Sequence, residues 1–423
     1  LQTTHQIFRD PTLEQPVIDY YWSVAELSAE LVDDFCHTIK DATQGRALAG
    51  LFFGYLMELA WNASFFGAGH ESEFATYQRS GHLGLGQVLR SSHVDFIVSP
   101  YSYGFRGIGG HGAAMPPIDS LRLHGKLYIY EDDTRTHLAP PDVGYGRVRS
   151  LSDSEAVLKR NMAEVLTRGM GIWWQGGPYH VNPHYEPALG NLLERFQELG
   201  TWAVHLDRAP QAEVAVLLDD ESVYYESLYN ELDLPLVFQQ RLWGLPRMGA
   251  PVDTYLLQDL LEGRLPPYRL YVLLNAFRLD DTRREALARE LRRDGRVALW
   301  IHAPGYLNET PALEHMTDLT CMRFGKGEHP WGPLIHITDF EHAITRDLSQ
   351  DLFWGTNARI APLFHLEDPN VRALGEVVYS QGRCKPGFGV REFADWASVY
   401  SAAPNLPAGV LRGIARYAGV HLY

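Results

Sequence analysis

Apolar and polar positions in the first half of the chain repeat in a helix–strand rhythm. Apolar residues recur at helical spacing between positions 24 and 40, and further helices are predicted near 82–89 and 154–167. Short apolar runs predict strands at positions 48–59, 94–100, 126–131 and 171–175. Strands that alternate with helices predict a parallel sheet covered by helices, and four such units make half of an eight-stranded barrel.

The pattern changes at about residue 212, where the loops shorten and the alternation tightens. Strands are predicted at 213–219, 252–256, 269–275 and 296–301, with helices at 232–242 and 281–293. This order predicts a doubly wound α/β domain of flavodoxin type. We therefore expect two domains, 1–208 and 209–423. Residues 152–155 carry cap residues for the helix near 154–167, and the closing run 418–423 reads as a strand.

The amino-acid composition argues against several classes of ligand and partner. The formal charge of the 423 residues is −15. Nucleic acids and anionic membrane surfaces bind proteins through clustered Lys and Arg, so this charge argues against both as partners. Neutral ligands are compatible with this charge. Three widely spaced cysteines form no disulfide framework, and the 18 histidines contain no HExxH motif, so we expect neither a metal nor a cofactor.

The run from position 126 to 138, KLYIYEDDTRTHL, is the most informative segment. Side chains alternate between the faces of a strand, so Glu131 continues the row of Leu127 and Ile129, and Asp132 points the other way. A glutamate that ends an apolar row projects into the cavity that the strands surround. Clustered acids raise one another's pKa, and Arg135 could hold one of them ionised. The alternative is an acidic loop in which Arg135 is a local ion-pair partner.

Three further groups are candidates for ligand contact, each with a structural alternative. Glu58 could bind a sugar hydroxyl or satisfy loop amides. Tyr101 and Tyr103 lie two positions apart, so both could face the cavity and donate hydrogen bonds, or they could pack the loop. Of Trp173 and Trp174, one should face the cavity and suit the apolar face of a sugar, and the other should face the helices.

Several of these segments together resemble a known group. The segments at 53–56, 99–103, 125–138 and 173–174 resemble the second half of a clan A glycoside hydrolase barrel, close to the family 42 β-galactosidases. The region from about residue 210 resembles the trimerisation domain of that group, an amidotransferase-like α/β fold. The strand-to-helix turn at 300–305 contains no cysteine, so we expect no catalysis in this domain.

The resemblance implies a (β/α)8 TIM-barrel portion with strands five to eight, followed by the doubly wound domain. It implies that Glu131 is the nucleophile of a retaining enzyme, supported by Arg135, Tyr101 and Tyr103. The acid/base glutamate of the family ends strand four, which precedes the segments matched here, and Glu58 follows the wrong strand to replace it.

The implied activity is a β-glycosidase, with β-galactosides preferred over β-mannosides or β-glucosides, that needs no cofactor. The alternative is a carbohydrate-binding or assembly module without catalysis. Expected partners are the carbohydrate, a second copy in a dimer or trimer, and the upstream half of the barrel. Neither nucleic acid nor membrane is expected, and the expected compartment is the cytoplasm.

Overall fold

A computed structural model describes residues 5–60, 76–144, 146–182, 184–228, 230–378 and 382–423. The chain divides into two compact units. The four-stranded unit comprises Ala29–Glu58 and Gln87–Gln211, and the nine-stranded unit comprises Ala212–Tyr423 with the described residues of Leu1–Ser28 and Leu59–Gly86. The division after Gln211 lies close to the boundary predicted from the sequence. The two earlier segments, however, group with the nine-stranded unit and not with residues 29–58.

The described helices and strands follow the chain in this order. The α-helices are α1 (Pro11–Thr43), α2 (Thr76–Arg79), α3 (Leu85–Arg90), α4 (Ile118–Leu123), α5 (Leu151–Arg168), α6 (Pro187–Ala203), α7 (Leu257–Leu261), α8 (Asp281–Leu291), α9 (Leu313–Thr320) and α10 (Ala408–Tyr417). The strands are β1 (Gly50–Phe52), β2 (Phe96–Pro100), β3 (Leu127–Asp132), β4 (Gly171–Trp174), β5 (Val214–Leu218), β6 (Val252–Leu256), β7 (Leu270–Leu273), β8 (Arg296–Ile301), β9 (Phe324–Gly327), β10 (Leu334–Ile337), β11 (Phe353–Gly355), β12 (Leu363–Leu366), β13 (Arg372–Val378), β14 (Cys384–Glu392) and β15 (Trp396–Ser401). A π-helix spans Leu234–Gly244, and 3-10 turns span Ser222–Tyr225 and Leu245–Arg247.

The four-stranded sheet is parallel throughout, with the order β1-β2-β3-β4. Its strands lie where the apolar runs predict them, except that β1 is much shorter than the predicted run 48–59. Gly54 has φ +77°, a conformation that turns the chain out of the strand direction. Residues 56–60 therefore form a turn, and Glu58 lies beyond the strand in that turn.

This sheet curls toward one face. In a flat sheet, three strand spacings would separate the edge strands β1 and β4 by about 14 Å. The rings of Phe52 on β1 and Trp173 on β4 nevertheless lie 6.0 Å apart, edge to face. The strand register places both rings on the side of the sheet that also carries Ile129 and Glu131. We call this side the concave face.

The opposite face of the sheet packs on the helices. Trp174 joins an apolar cluster between α5 and α6 that is built on the buried residues Leu158, Met162, Val181, Leu189 and Phe196. Helix α5 begins earlier than predicted, because Ser150 is its N-cap and accepts a hydrogen bond from the backbone N–H of Asp153. The predicted cap at 152–155 therefore lies within the first turn.

The nine-stranded sheet has a parallel part and an antiparallel part. The parallel strands have the order β6-β5-β7-β8-β15, the 2-1-3-4-5 order of flavodoxin-type folds, as predicted. The antiparallel strands β14, β13, β10 and β11 extend the sheet from β15, and the sequence pattern did not indicate them. The predicted closing strand at 418–423 was wrong, since these residues follow α10 without joining a sheet.

Candidate functional site

The three adjacent acids at the end of β3 have three different environments. Strand alternation decides the first two: Tyr128, Tyr130 and Asp132 are buried against the helical side, whereas Leu127, Ile129 and Glu131 are less buried and lie on the concave face. Asp133 follows the strand and is almost fully buried. The prediction that Glu131 and Asp132 point in opposite directions is confirmed.

Glu131 is half-buried at the carboxyl end of β3, with Pro100 and Trp173 as its register neighbours on β2 and β4. Burial raises the pKa of Glu131 above its ordinary value, and the Asp133 carboxylate raises it further. A hydrogen bond from Trp173 and the charges of two arginines, Arg106 and Arg135, act in the opposite direction on this pKa. A carboxylate with this exposure and these neighbours can act as a nucleophile or exchange a proton.

Asp132 has a structural role in the turn that follows β3. It accepts hydrogen bonds from the backbone N–H of Thr134 at 3.1 Å and from the amide of Asn161 on α5 at 3.0 Å. Burial raises the pKa of Asp132, although these hydrogen bonds oppose the rise. Because Asp132 is fully buried and its oxygens are engaged, it is not a candidate for ligand contact.

Asp133 is the acid that Arg135 binds. Its Oδ2 atom accepts a hydrogen bond from Nη1 of Arg135, and its Oδ1 atom forms an ion pair with Nη1 of Arg106. The Tyr103 hydroxyl also donates to Asp133 Oδ2, at 3.2 Å. Arg135 is therefore a local ion-pair partner of Asp133, and its charge lowers the pKa of Glu131.

The two candidate tyrosines do not lie side by side on the concave face, and their contacts favour the alternative in which they pack the loop. Tyr101 is fully buried, stacks on Tyr130 with ring centroids 5.5 Å apart, and hydrogen-bonds Thr134 through its hydroxyl at 2.7 Å. Since Tyr130 faces the helical side, Tyr101 does too. Tyr103 reaches Asp133 instead of Glu131. The two-residue spacing failed because β2 ends at Pro100, before the tyrosines.

Contacts in the structure decide between the alternatives for Glu58 and for the tryptophan pair. Glu58 is fully buried, and its Oε1 atom accepts the backbone N–H of Tyr103 at 2.7 Å, so it anchors a loop amide. Trp173 is 37 % exposed on the concave face and remains a candidate for ligand contact. Trp174 stacks on Phe196, with ring centroids 6.0 Å apart, on the helical side. Because the partly buried ring of Trp174 packs against this apolar cluster, it is not a candidate for ligand contact.

Sequence reasoning missed three residues around Asp133. Arg106 is 1 % exposed and lies between the rings of Tyr101 and Tyr103, at 4.0 and 3.8 Å from their centroids. Arg106 lies in a loop between Phe105 and Gly107, and its sequence surroundings gave no sign of a buried charge. His180 is close enough to Arg135 for the arginine, after burial, to lower its pKa. Tyr55 also faces Glu131 and Asp133, and burial raises its pKa.

The described residues contain no group of three or more His, Cys, Asp or Glu side chains arranged to hold a metal ion. In the same part of the chain, no helix has the length and apolar character needed to cross a membrane. The side chains that the site offers for chemistry are Glu131, the charged groups around it and the aromatic side chain of Trp173.

No protein-family model matches the chain, and a search of curated proteins finds no match. Solved structures do match. The cold-adapted β-galactosidase from Rahnella sp. R3 is 13 % identical with a TM-score of 0.53, and the match covers 95 % of this chain and 72 % of that one. The β-galactosidase from the haloarchaeon Halorubrum lacusprofundi is 14 % identical with a TM-score of 0.51, over 81 % of this chain and 53 % of that one.

A third match names the family. A catalytic mutant of Gan42B, a GH42 β-galactosidase from G. stearothermophilus, is 10 % identical with a TM-score of 0.51, over 92 % of this chain and 65 % of that one. The chain has the fold of the family 42 β-galactosidases. This confirms the resemblance and the predicted fold class. At identities of 10–14 % the likeness extends to the fold, and this chain spans about half to three quarters of the length of these enzymes.

Proposed function

We propose that this chain carries the nucleophile half of a retaining β-glycosidase of β-galactosidase type. The observation that carries the proposal is Glu131, a half-buried glutamate at the carboxyl end of a parallel strand, on a concave face that it shares with Trp173. Catalytic side chains of barrel enzymes gather at this end of the strands. The shared fold with β-galactosidases supports the choice of a sugar substrate.

In the proposed reaction, the Glu131 carboxylate attacks the anomeric carbon of a terminal β-linked sugar as the bond to the leaving oxygen breaks. A glycosyl-enzyme ester forms, and water then hydrolyses it with retention of configuration. Trp173 offers an aromatic surface next to the attacked sugar. A second carboxylic acid must protonate the leaving oxygen, and the resemblance assigns it to a strand that precedes β1. Glu58 is unsuited to that role because its carboxylate binds the amide of Tyr103.

The test uses an activated sugar that needs no acid catalyst. The 2,4-dinitrophenolate of 2,4-dinitrophenyl 2-deoxy-2-fluoro-β-galactoside leaves without protonation, so the chain is testable whether or not the acid residue is present. We expect a stable adduct on the peptide that contains Glu131, and none in Glu131→Gln. Glu155→Gln, on the outer side of α5, serves as the matched control and should still label. A folded wild-type chain without an adduct, or an adduct on Glu131→Gln, would refute the proposal.

Because the Glu58 carboxylate binds a backbone amide, it does not supply the acid that hydrolysis requires. A second candidate function is therefore a carbohydrate-binding module without hydrolysis. Binding of galactose without formation of an adduct would favour this candidate. Binding of mannose with formation of an adduct from the corresponding mannosyl probe would instead correct the sugar and keep the enzyme class.

We also propose that the four-stranded unit associates with a further polypeptide, either the upstream half of the barrel or another copy in a dimer or trimer. In the described part of the chain, β1 and β4 are edge strands, and such edges favour pairing. The apolar side chains Leu31, Phe35 and Ile39 of α1 are exposed, as are Phe52 and Leu127 at the sheet. Apolar exposure of this extent is typical of surfaces that are covered in an assembly.

A further inference from the structure

Asp133 joins three side chains that come from two loops. Arg106 and Tyr103 belong to the loop that follows β2, and Arg135 belongs to the loop that follows β3. All three contact the Asp133 carboxylate, which is almost fully buried. We call this set the Asp133 cluster.

Arg106 makes the cluster rigid. Its guanidinium donates to the backbone oxygens of Tyr101 at 2.6 Å, Ser102 at 3.1 Å and Asp133 at 3.4 Å, in addition to its ion pair with the Asp133 carboxylate. Burial alone would lower the pKa of Arg106, but Asp133 and the two tyrosines outweigh that effect and raise it. A buried guanidinium is costly without a charged partner, so Arg106 and Asp133 hold each other in place.

This rigid pair is attached directly to the end of β3, where Glu131 lies two residues earlier. It therefore fixes the backbone from which the Glu131 carboxylate projects. The titratable and charged groups that act on Glu131 come from each neighbouring element: Tyr55 after β1, Arg106 after β2, and Asp133 and Arg135 after β3. Trp173 on β4 adds a neutral donor, and His180 lies behind Arg135 and Asp133.

We infer that Asp133 and Arg106 are positioning residues for Glu131, and that Asp133 and Arg135 together set the charge that Glu131 experiences. This inference rests on the proposed function, because it treats Glu131 as the attacking carboxylate. The inference also explains the pH range of the proposed reaction, which would depend on the Asp133 carboxylate and on the guanidinium groups of Arg106 and Arg135.

The experiment measures the rate of labelling by the dinitrophenyl fluoro-galactoside between pH 3.5 and 8. Only the ionised form of Glu131 attacks, so the acidic limb of the profile reports the pKa of Glu131 and the plateau reports its positioning. Asp133→Asn removes a negative charge near Glu131 and leaves two cations, so the limb should move to lower pH by on the order of one unit. Arg135→Gln removes a cation, so the limb should move to higher pH.

The matched control is Asp119→Asn. Asp119 is also a buried aspartate held by two arginines, Arg122 and Arg168, but it lies on α4, before the start of β3. Its replacement should leave the position of the limb unchanged. Arg106→Lys keeps a cation but loses the planar set of donors, so the limb should stay while the plateau falls by about tenfold or more.

Opposite shifts for Asp133→Asn and Arg135→Gln are the decisive result, since a purely structural role would not reverse sign. If Asp133→Asn does not fold, Arg135→Gln still tests the inference, because Asp133 then retains Arg106. Identical limbs in wild type, Arg135→Gln and Asp119→Asn would overturn it. Failure of the wild type to label at any pH would instead refute the proposed function, so the two failures are distinguishable.

Discussion

A pair of buried acids in the nine-stranded unit gives a quantitative prediction about stability. Glu226 and Asp233 are 1 % and 5 % exposed. One amide group, Nδ2 of Asn230, donates to both carboxyls, at 2.6 Å to Glu226 and 3.1 Å to Asp233. Burial raises the pKa of Glu226 well above its usual range, and the charge of Asp233 adds to this effect. Burial also raises the pKa of Asp233, to about 6.

The sign of the pH dependence follows from these shifts. A carboxyl with a raised pKa binds its proton more tightly in the folded chain than in the unfolded chain. Its contribution to the free energy of unfolding therefore falls as the pH rises above the unfolded pKa, by about 1.4 kcal/mol per pH unit until the folded pKa is reached. Since one group cannot exceed this slope, the loss from Glu226 is at most about 3 kcal/mol between pH 5 and pH 7.

Glu226→Gln should remove this loss. Its side-chain oxygen can still accept from Asn230, and its amide can donate to Asp233 as the protonated carboxyl does. The charge of Arg9 also acts on Glu226, and Tyr77 lies near both carboxyls; the substitution leaves these two residues in place. We expect the variant to gain on wild type as the pH rises from 5 to 7, by at most about 3 kcal/mol or up to roughly 10 °C in Tm.

Thermal unfolding followed by circular dichroism at pH 5, 6 and 7 measures this gain. Glu328→Gln is the matched control, because Glu328 is largely exposed beside Lys326 and should give a gap to wild type that does not change with pH. A Glu226→Gln variant that is less stable than wild type at pH 7, or whose advantage is the same at all three pH values, would refute this reasoning. Either result would mean that Glu226 does not hold its proton more tightly in the folded chain.

Two further predictions use residues elsewhere in the fold. Trp174→Ala should lower the free energy of unfolding by roughly 1–3 kcal/mol, because its partly buried ring packs beside Phe196. Trp173→Ala should cost less stability and weaken galactose binding, so denaturation and calorimetric titration separate the two variants. His302 is fully buried, and burial lowers its pKa to about 4, so wild type should lose about 3 kcal/mol as the pH falls from 6.5 to 4. His302→Asn, which suits the observed φ of +62°, should lack that loss in acid unfolding curves.

The sequence predicts the parallel parts of the fold well because buried parallel strands are short apolar runs between helices. It overestimates β1, since the run 48–59 stays apolar through the turn that Gly54 begins. The antiparallel extension could not be predicted in the same way. Its strands mix Gly, Pro and charged residues, as in Cys384–Glu392, so they lack the short apolar runs that mark the parallel strands.

In the candidate site as well, residues in a regular strand could be predicted from the sequence and residues in irregular loops could not. Alternation along β3 was sufficient to separate Glu131 from Asp132, because both residues lie inside a regular strand. The partner of Asp133 could not be found this way. Arg106 lies 27 residues earlier in an irregular loop, and no local pattern distinguishes a guanidinium that will be buried from one that will be solvated.

The positions of Tyr101 and Tyr103 bear on the ionisation of Glu131. Had Tyr101 or Tyr103 donated to Glu131, a neutral hydroxyl would have held the carboxylate ionised, and nearby charges would matter little. In the structure, Tyr101 binds Thr134 and Tyr103 binds Asp133, so the neutral donor at Glu131 is the Trp173 indole. The balance between burial and ionisation at Glu131 then depends on the Asp133 cluster. A single charge change at Asp133 or Arg135 should therefore move the pH profile, which a hydroxyl donor would have buffered.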